Sequence, residues 1–344
     1  MRPSKRLTLA APPPDPFGEH ERAPLGERLQ LLGGRFDFQT DSARLLRIVR
    51  QAYAGLPRHH LAGRTPNFRV RLVLTPAPRS TAREPPPVRP LSGAGLLCGA
   101  LDGATFAALD SHQRSALIVV SQRLLSYPYH VRYELLEFAV YVLAARVQKL
   151  VPLHAACVGR AGEGVLLVGP SGSGKSTLVL HCLLSGMDFL AEDSVLVRPA
   201  GMLATGVANF LHLRPDSLRF VDAAQRAVLV RNSCVIRRRS GVRKLEIDLR
   251  RPQYRLAATP QRIRAVVFLS SRAAGARGLL TPLTKSGTLK RLKSGQRYAA
   301  EQPGWRAFEQ ELAALPAYEL RRGTHPREAV AAVSELLAGI SGSK

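Results

Sequence analysis

The chain has 344 residues, enough for two domains of ordinary size, and 45% of them are hydrophobic, as in soluble globular proteins. Fifty Lys and Arg residues against 25 Asp and Glu residues give a formal net charge of +25, which attracts acidic partners or polyanions. The four cysteines are far apart and form no CxxC pair, which excludes a disulfide framework and a cysteine-based zinc site and predicts a reducing cytoplasm.

The first part of the chain predicts an irregular arm followed by a small α+β domain. Residues 1–35 are rich in Pro, Gly and charged residues, as irregular segments are. Residues 36–149 mix strand and helix patterns. The predicted elements are strands at 35–38, 68–74 and 116–120 and a helix over 42–53, with Asp41 or Ser42 as its cap.

A proline-rich segment and a long helix belong to the same domain. Six prolines within residues 75–90 predict an extended loop or linker. Residues 129–149 predict one continuous helix with an apolar face. That face consists of Leu135, Phe138, Val142 and Ala145. The sequence pattern changes near residue 150, where we place the domain boundary.

Residues 150–340 alternate short apolar strands with helices, which indicates an α/β domain. Two strands, at 153–158 and 165–168, come before a glycine-rich loop and a helix over 177–184. The later predicted elements are strands at 189–191, 195–197, 265–269 and 318–320 and helices at 305–315 and 326–337.

The glycine-rich loop over residues 169–176 satisfies the pattern G-x-x-x-x-G-K-[ST] at every fixed position. Its glycines let the backbone N–H groups turn inward around an anion, and the following helix presents its positive end to phosphates. Lys175 is expected to reach the β- and γ-phosphates, and the Ser176 hydroxyl to bind Mg2+. The predicted ATP-binding residues are Gly169, Pro170, Ser171, Gly172, Ser173, Gly174, Lys175, Ser176 and Thr177.

An acidic pair, Glu192–Asp193, follows one helix and one strand later, 17 and 18 residues after Lys175. A phosphate-loop enzyme needs a carboxylate near the metal and, in a kinase, a base near the acceptor hydroxyl. The pair is therefore predicted to serve both roles, and a solvated turn between two strands is the alternative. His154, on the strand before the loop, is either an ordinary structural histidine or a partner of the catalytic carboxylate or the phosphates.

Together these segments resemble the C-terminal kinase domain of the HPr kinase/phosphorylase family. The resemblance covers roughly residues 150–335 and is carried by the loop, by Leu153-His154-Ala155-Ala156 and by Leu190-Ala191-Glu192-Asp193-Ser194-Val195. It implies a P-loop kinase domain of the HPr kinase/phosphoenolpyruvate carboxykinase type with a mixed sheet, and a homo-oligomer.

The same resemblance implies roles for individual residues. Lys175 matches the phosphate-binding lysine, Ser176 and Glu192 match the Mg2+ side of the site, and Asp193 matches the base toward the substrate serine. His154 matches the histidine that comes before the loop in the family. The implied catalytic residues are Asp193, His154 and Lys175.

Three departures from the family pattern restrict what the resemblance implies. Thr177 follows the loop serine where true family members usually carry an acidic residue. The segment 209–215 reads NFLHLRP and lacks the family's glutamate-containing signature, and the loop tied to phosphorylase activity is unrecognisable. The sequence therefore resembles an HPr kinase-related protein more than a true HPr kinase, and neither phosphorolysis nor HPr as the substrate is predicted.

The favoured function is a serine kinase that transfers the γ-phosphoryl group of ATP, with Mg2+, to a small protein or peptide. A small-molecule kinase and a non-catalytic, nucleotide-gated binding module are the alternatives. Nucleic acid is a disfavoured partner because basic residues are scattered and aromatic residues, at 6%, offer few stacking platforms. An arginine-rich background explains the charge best, and docking of acidic proteins is second.

A cytoplasmic location without a membrane span is predicted. Residues 1–10 are basic but lack a long apolar run, and three prolines follow them closely, which argues against a signal peptide. The most apolar helix candidate, residues 135–147, carries Glu137 and Arg146 and falls short of the roughly 20 residues that span a bilayer.

Overall fold

The architecture is mixed α/β, with sheets that contain both parallel and antiparallel pairs. The computed structural model describes residues 23–76, 85–275 and 278–341. The strands before residue 150 are β1 (Leu25–Leu31), β2 (Gly34–Thr40), β3 (Asn67–Thr75), β4 (Arg89–Gly93), β5 (Leu96–Asp102), β6 (Thr105–Asp110) and β7 (Ser115–Ser121). In the described residues they form a seven-stranded sheet in the order β1-β2-β3-β7-β6-β5-β4.

Helices pack on this first sheet. They are α1 (Ala43–Tyr53), α2 (Pro128–His130) and α3 (Glu137–Gln148), and a 3₁₀ turn spans Gln122–Ser126. Ser42 caps α1 by accepting a hydrogen bond from the Leu45 amide, which confirms one of the two predicted caps. Phe36, Phe38 and Tyr53 lie in the core between sheet and helices.

The predicted helix over 129–149 contains an irregularity. Between α2 and α3 the residues Val131–Leu136 adopt a π-helical turn, so the helix is continuous but not uniformly α. The residues of the predicted apolar face lie in two different environments. Leu135 is fully buried, whereas Phe138, Val142 and Ala145 line a cavity described below.

The prediction of an irregular arm over residues 1–35 is wrong for its last third. Strand β1 pairs antiparallel with β2 across a two-residue turn at Leu32 and Gly33, which have φ angles of +51° and +81°. Two successive positive φ angles suit the right-handed twist of a tight hairpin. The rest of the predicted arm, residues 1–22, lies outside the described residues, as does the centre of the predicted proline-rich loop, residues 77–84.

The second part of the chain forms two further sheets. Its strands are β8 (Val151–Leu153), β9 (Ala156–Arg160), β10 (Glu163–Val168), β11 (Asp188–Ala191), β12 (Val195–Arg198), β13 (Leu203–Gly206), β14 (Phe210–Leu213), β15 (Ser233–Arg237), β16 (Arg243–Asp248), β17 (Gln261–Ala273), β18 (Leu280–Pro282) and β19 (Ala317–Arg322). Its helices are α4 (Lys175–Leu184), α5 (Ala223–Arg231), α6 (Lys285–Gly295), α7 (Arg297–Ala300), α8 (Trp305–Leu312) and α9 (Pro326–Ser341), with a 3₁₀ turn at Pro215–Phe220.

The larger of these sheets has the order β11-β9-β10-β17-β13-β12-β8, with β19 beside β17 and β18 beside β19. Strands β10, β17 and β19 are parallel, and the other pairs are antiparallel. A small antiparallel sheet, β14-β16-β15, packs beside it.

Strand β10 is buried on both faces of the large sheet. Val165 and Leu167 point into one core with α4 and α9, while Leu166 and Val168 point into another with α8. A continuous apolar run is what a strand covered on both faces requires. The loop that follows β10 therefore starts from a rigidly packed position.

No helix among the described residues is long and apolar enough to cross a membrane.

Candidate functional site

The glycine-rich loop joins the end of β10 to the beginning of α4, as predicted from its strand–loop–helix context. Two of its glycines are needed for the backbone path. A Cβ on Gly169 would lie 2.7 Å from the Ser173 Oγ, and Gly174 has a φ angle of +97°. Because α4 starts at Lys175, the first N–H groups of the helix have no intrahelical acceptor and are available to an anion.

Lys175 extends back along the loop that it follows. Its Nζ donates to the Gly169 carbonyl at 2.7 Å and lies 3.5 Å from the His154 Nε2. Burial lowers the pKa of Lys175, while the charges of Asp193 and Glu192 act to raise it. A largely desolvated ammonium group next to two carboxylates and an anion-binding loop is well placed to bind a phosphate oxygen.

The adjacent carboxylates occupy two different environments. Glu192 is buried, its Oε1 accepts a hydrogen bond from the Ser176 hydroxyl, and its Oε2 accepts one from the His212 amide at 2.8 Å. The Asp193 side chain is 43% exposed and lies 3.3 Å from the His154 Nδ1. One carboxylate therefore holds the end of the loop, and the other faces an open cavity.

His154 does not lie on a strand, contrary to the sequence prediction of a strand over 153–158. It lies in a break between β8 and β9. Strand β8 pairs with β12, whereas β9 pairs with β10 and β11, so the two strands occupy different positions in the large sheet. The Gln296 amide fixes the break: its Oε1 accepts from the His154 amide at 2.8 Å, and its Nε2 donates to the His154 carbonyl at 2.9 Å. The imidazole then bridges Lys175 and Asp193.

Behind Glu192 lies a buried polar network that the sequence did not predict, formed by Glu192, His212, Glu246, Arg132 and Tyr133. The His212 Nδ1 is 3.2 Å from the Glu192 Oε2, and its Nε2 is 3.2 Å from the Glu246 Oε2. The Arg132 Nη2 donates to the other oxygen of Glu246 at 2.5 Å, and the Tyr133 hydroxyl donates to the Glu246 Oε2 at 3.3 Å. The network links the π-helical turn to the phosphate loop.

The charges in this network balance one another. Burial alone would raise the pKa of Glu246, but the hydrogen bond from His212 and the charge of Arg132 hold it at about 2. Burial alone would lower the pKa of His212, but its hydrogen bonds to Glu192 and Glu246 raise it. Each buried carboxylate of the network is therefore paired: Glu192 with His212, and Glu246 with both His212 and Arg132.

Replacing His212 by leucine is expected to lower the free energy of unfolding by about 3 kcal/mol or more, because two buried carboxylates lose a charged partner. Urea unfolding at neutral pH measures this quantity. The matched control is His60→Leu, since His60 is exposed on the surface. Equal stability of the two variants would show that the network contributes little to folding.

Two cavities are lined by residues of the glycine-rich loop, and a third adjoins the first of these two. The loop cavity, of about 260 Å³, is lined by the glycine-rich loop together with His154, Asp193 and basic residues. The basic residues are Lys175, Arg214, Arg238 and Lys244. The arginine cavity, of about 430 Å³, lies beyond Gly172 and includes Arg219, Phe220 and Leu320.

The third cavity, the α3 cavity, has a volume of about 590 Å³ and lies between α3 and α7. Among the described residues, it shares only His154 and Asp193 with the loop cavity. The Asp193–His154 pair therefore forms the junction between the two.

Most of the remaining predicted loop residues line the loop cavity: Pro170, Ser171, Gly172, Gly174 and Thr177. The Thr177 hydroxyl is 2.8 Å from the Ser217 hydroxyl. Ser173 lines the arginine cavity. All of the predicted site residues except Gly169 and Glu192 therefore line the loop cavity or the arginine cavity. The Gly169 carbonyl accepts a hydrogen bond from Lys175, and the Glu192 carboxylate accepts one from Ser176.

The oxygen ligands present fit a metal ion that arrives with its nucleotide. No group of three or more His, Cys, Asp or Glu side chains within the described ranges could hold an ion by itself. The Ser176 hydroxyl and the Glu192 carboxylate are hard oxygen donors in contact with each other. Mg2+ commonly takes one or two protein ligands and completes its shell with phosphate oxygens and water.

The fold and site define a mixed α/β protein with a glycine-rich loop between a strand and a helix. No family model matches the chain. No curated protein matches it either. Among solved structures, the HPr(Ser) kinase/phosphatase from Coxiella burnetii is similar over 56% of this chain and 99% of its own, with 11% sequence identity and a TM-score of 0.31.

Proposed function

We propose that the protein is an ATP-dependent serine kinase that transfers the γ-phosphoryl group to a serine hydroxyl on a small protein or peptide. One observation carries the proposal: an anion-binding loop with its lysine and a carboxylate–histidine pair line the same cavity. Phosphoryl transfer needs these two parts, one to bind and neutralise the phosphates and one to orient the acceptor.

The nucleotide would extend over two of the cavities. The loop amides and Lys175 would bind the phosphates in the loop cavity, where Arg214, Arg238 and Lys244 add positive charge. The nucleoside would enter the adjoining arginine cavity, whose walls include Phe220 and Leu320. Ser176 and Glu192 would hold Mg2+, which would supply positive charge to neutralise the phosphates.

The acceptor step would be carried by Asp193 and His154. Asp193 would accept the proton of the serine hydroxyl as a bond forms between the serine oxygen and the γ-phosphorus and the bond to the ADP oxygen breaks. His154, 3.3 Å from Asp193, would orient that carboxylate. Lys175 would bind the charged phosphoryl oxygens during transfer.

The test is incubation of the protein with ATP labelled at the γ-phosphate, Mg2+ and a cell extract. We expect label on a serine of a small protein and loss of labelling when EDTA removes the metal. Label confined to a metabolite would indicate a small-molecule kinase instead. Intact ATP binding without transfer to any acceptor would reject a kinase in favour of a nucleotide-gated binding module.

A further inference from the structure

We propose that the α3 cavity binds the acceptor peptide, with the acceptor serine at the junction formed by Asp193 and His154 and an apolar neighbouring side chain deeper in the cavity. This inference rests on the serine kinase function proposed above. It assigns the peptide to a site built by both parts of the chain, since α3 belongs to the first part and α7 to the second.

The arrangement of the three cavities gives the first argument. The arginine cavity meets the loop cavity at residues that include Gly172 and Thr177, and the α3 cavity meets it at His154 and Asp193. In phosphoryl transfer, the attacking oxygen and the leaving oxygen lie roughly in line on opposite sides of the phosphorus. With the nucleoside in the arginine cavity, the acceptor would approach from the cavity that opens at the catalytic pair.

The cavity walls indicate what kind of group enters. Apolar surface is supplied by Leu97, Phe138, Val142 and Leu153. Leu97 comes from β5, so even the first sheet contributes to the wall. An apolar side chain would gain roughly 25 cal/mol for each Å² that it buries there.

Glu137 supplies a polar group inside this apolar wall. Its side chain is half-buried and lines the cavity. Its carboxyl group forms no hydrogen bond with any of the described residues. Burial raises the pKa of Glu137 to about 8, so the carboxyl is mostly protonated at neutral pH. A neutral carboxyl group has one O–H donor and one carbonyl acceptor, which match the C=O and N–H of a peptide backbone.

The rim indicates the charge of the flanking sequence. Arg146 and Arg297 are exposed and line the cavity. They complement an acidic residue on the part of the peptide that remains outside. The proposed acceptor is thus a serine with an apolar residue on one side and an acidic residue nearby.

The experiment uses a library of synthetic peptides with a central serine and varied flanking residues, together with γ-labelled ATP and Mg2+. We expect the wild-type protein to prefer an apolar flanking residue. Val142→Trp, which fills the cavity, and Glu137→Leu, which removes both the O–H donor and the carbonyl acceptor, are expected to raise KM for the best peptide about tenfold. The dissociation constant of a fluorescent ATP analogue is expected to stay within twofold for both variants.

The matched control is Val230→Trp, because Val230 is 50% exposed on α5 and lines none of the three cavities. It should keep the wild-type KM. If Val142→Trp loses ATP binding through misfolding, Val142→Ala replaces it and should shift the preference toward a larger apolar residue.

An unchanged KM in Glu137→Leu together with an unchanged peptide preference in the Val142 variants would overturn the peptide site while leaving the kinase in place. If the wild-type protein binds ATP but labels no peptide or extract protein, the proposed function fails and the peptide site fails with it.

Discussion

Replacing Lys175 by alanine is expected to reduce phosphoryl transfer by at least about a hundredfold, the effect of removing one well-placed electrostatic donor from an active site. The physical reason lies in its surroundings: the Nζ is mostly buried, is held by the Gly169 carbonyl and lies next to His154. Initial rates with labelled ATP, together with ATP affinity, measure the effect.

The control for this variant is Lys290→Ala, an exposed lysine of α6 that makes the same change in net charge. It should retain wild-type rates and ATP affinity. If Lys175→Ala also retains both, the loop does not bind a nucleotide, and the proposal of an ATP site fails.

Replacing Asp193 by asparagine is expected to lower kcat about 10²- to 10⁴-fold, the usual contribution of a general base, with little change in ATP affinity. Asparagine keeps the shape of the side chain but cannot take the acceptor proton. The half-exposed position of Asp193 and its contact with His154 set it apart from buried Glu192. Single-turnover kinetics separate the transfer step from nucleotide binding.

Asp41→Asn is the matched control, since Asp41 is exposed in the first part of the chain. This replacement should leave kcat unchanged. A wild-type kcat in Asp193→Asn would remove the base from the mechanism.

The position of the glycine-rich loop between a strand and a helix could be predicted from the sequence because the pattern is local. The fixed glycines, Lys175 and Ser176 occur within eight consecutive positions, and the apolar run before them predicts the strand that positions them. The acidic pair required only one further step, since one helix and one strand bring the chain back to the loop.

The buried network could not be predicted in this way. Arg132 and Glu246 are 114 positions apart, and each lies in a segment whose pattern indicates only helix or strand. His212 is a single histidine within an apolar strand, for which sequence alone favours an ordinary core residue. Only the packing of the small sheet against the π-helical turn brings these charges together.

Local patterns also misplaced two boundaries. The apolar run 153–158 looks like one strand, but its halves pair with strands on different sides of the large sheet, and His154 lies at the crossing. Residues 25–31 lie in a segment whose composition suggests irregular structure, yet pairing with β2 makes them a strand. In both cases tertiary pairing overrides local composition.

The π-helical turn at Val131–Leu136 sets the relative orientation of two faces of one helix. A π turn holds roughly one residue more than an α turn, and each residue of an α-helix rotates the chain by about 100°. Arg132 reaches the buried network from this turn, while Val142 lines the α3 cavity from the α-helical part. The two orientations are therefore related by a single-residue insertion, and a one-residue deletion there would turn one face away from its partners without altering any side chain that lines the site.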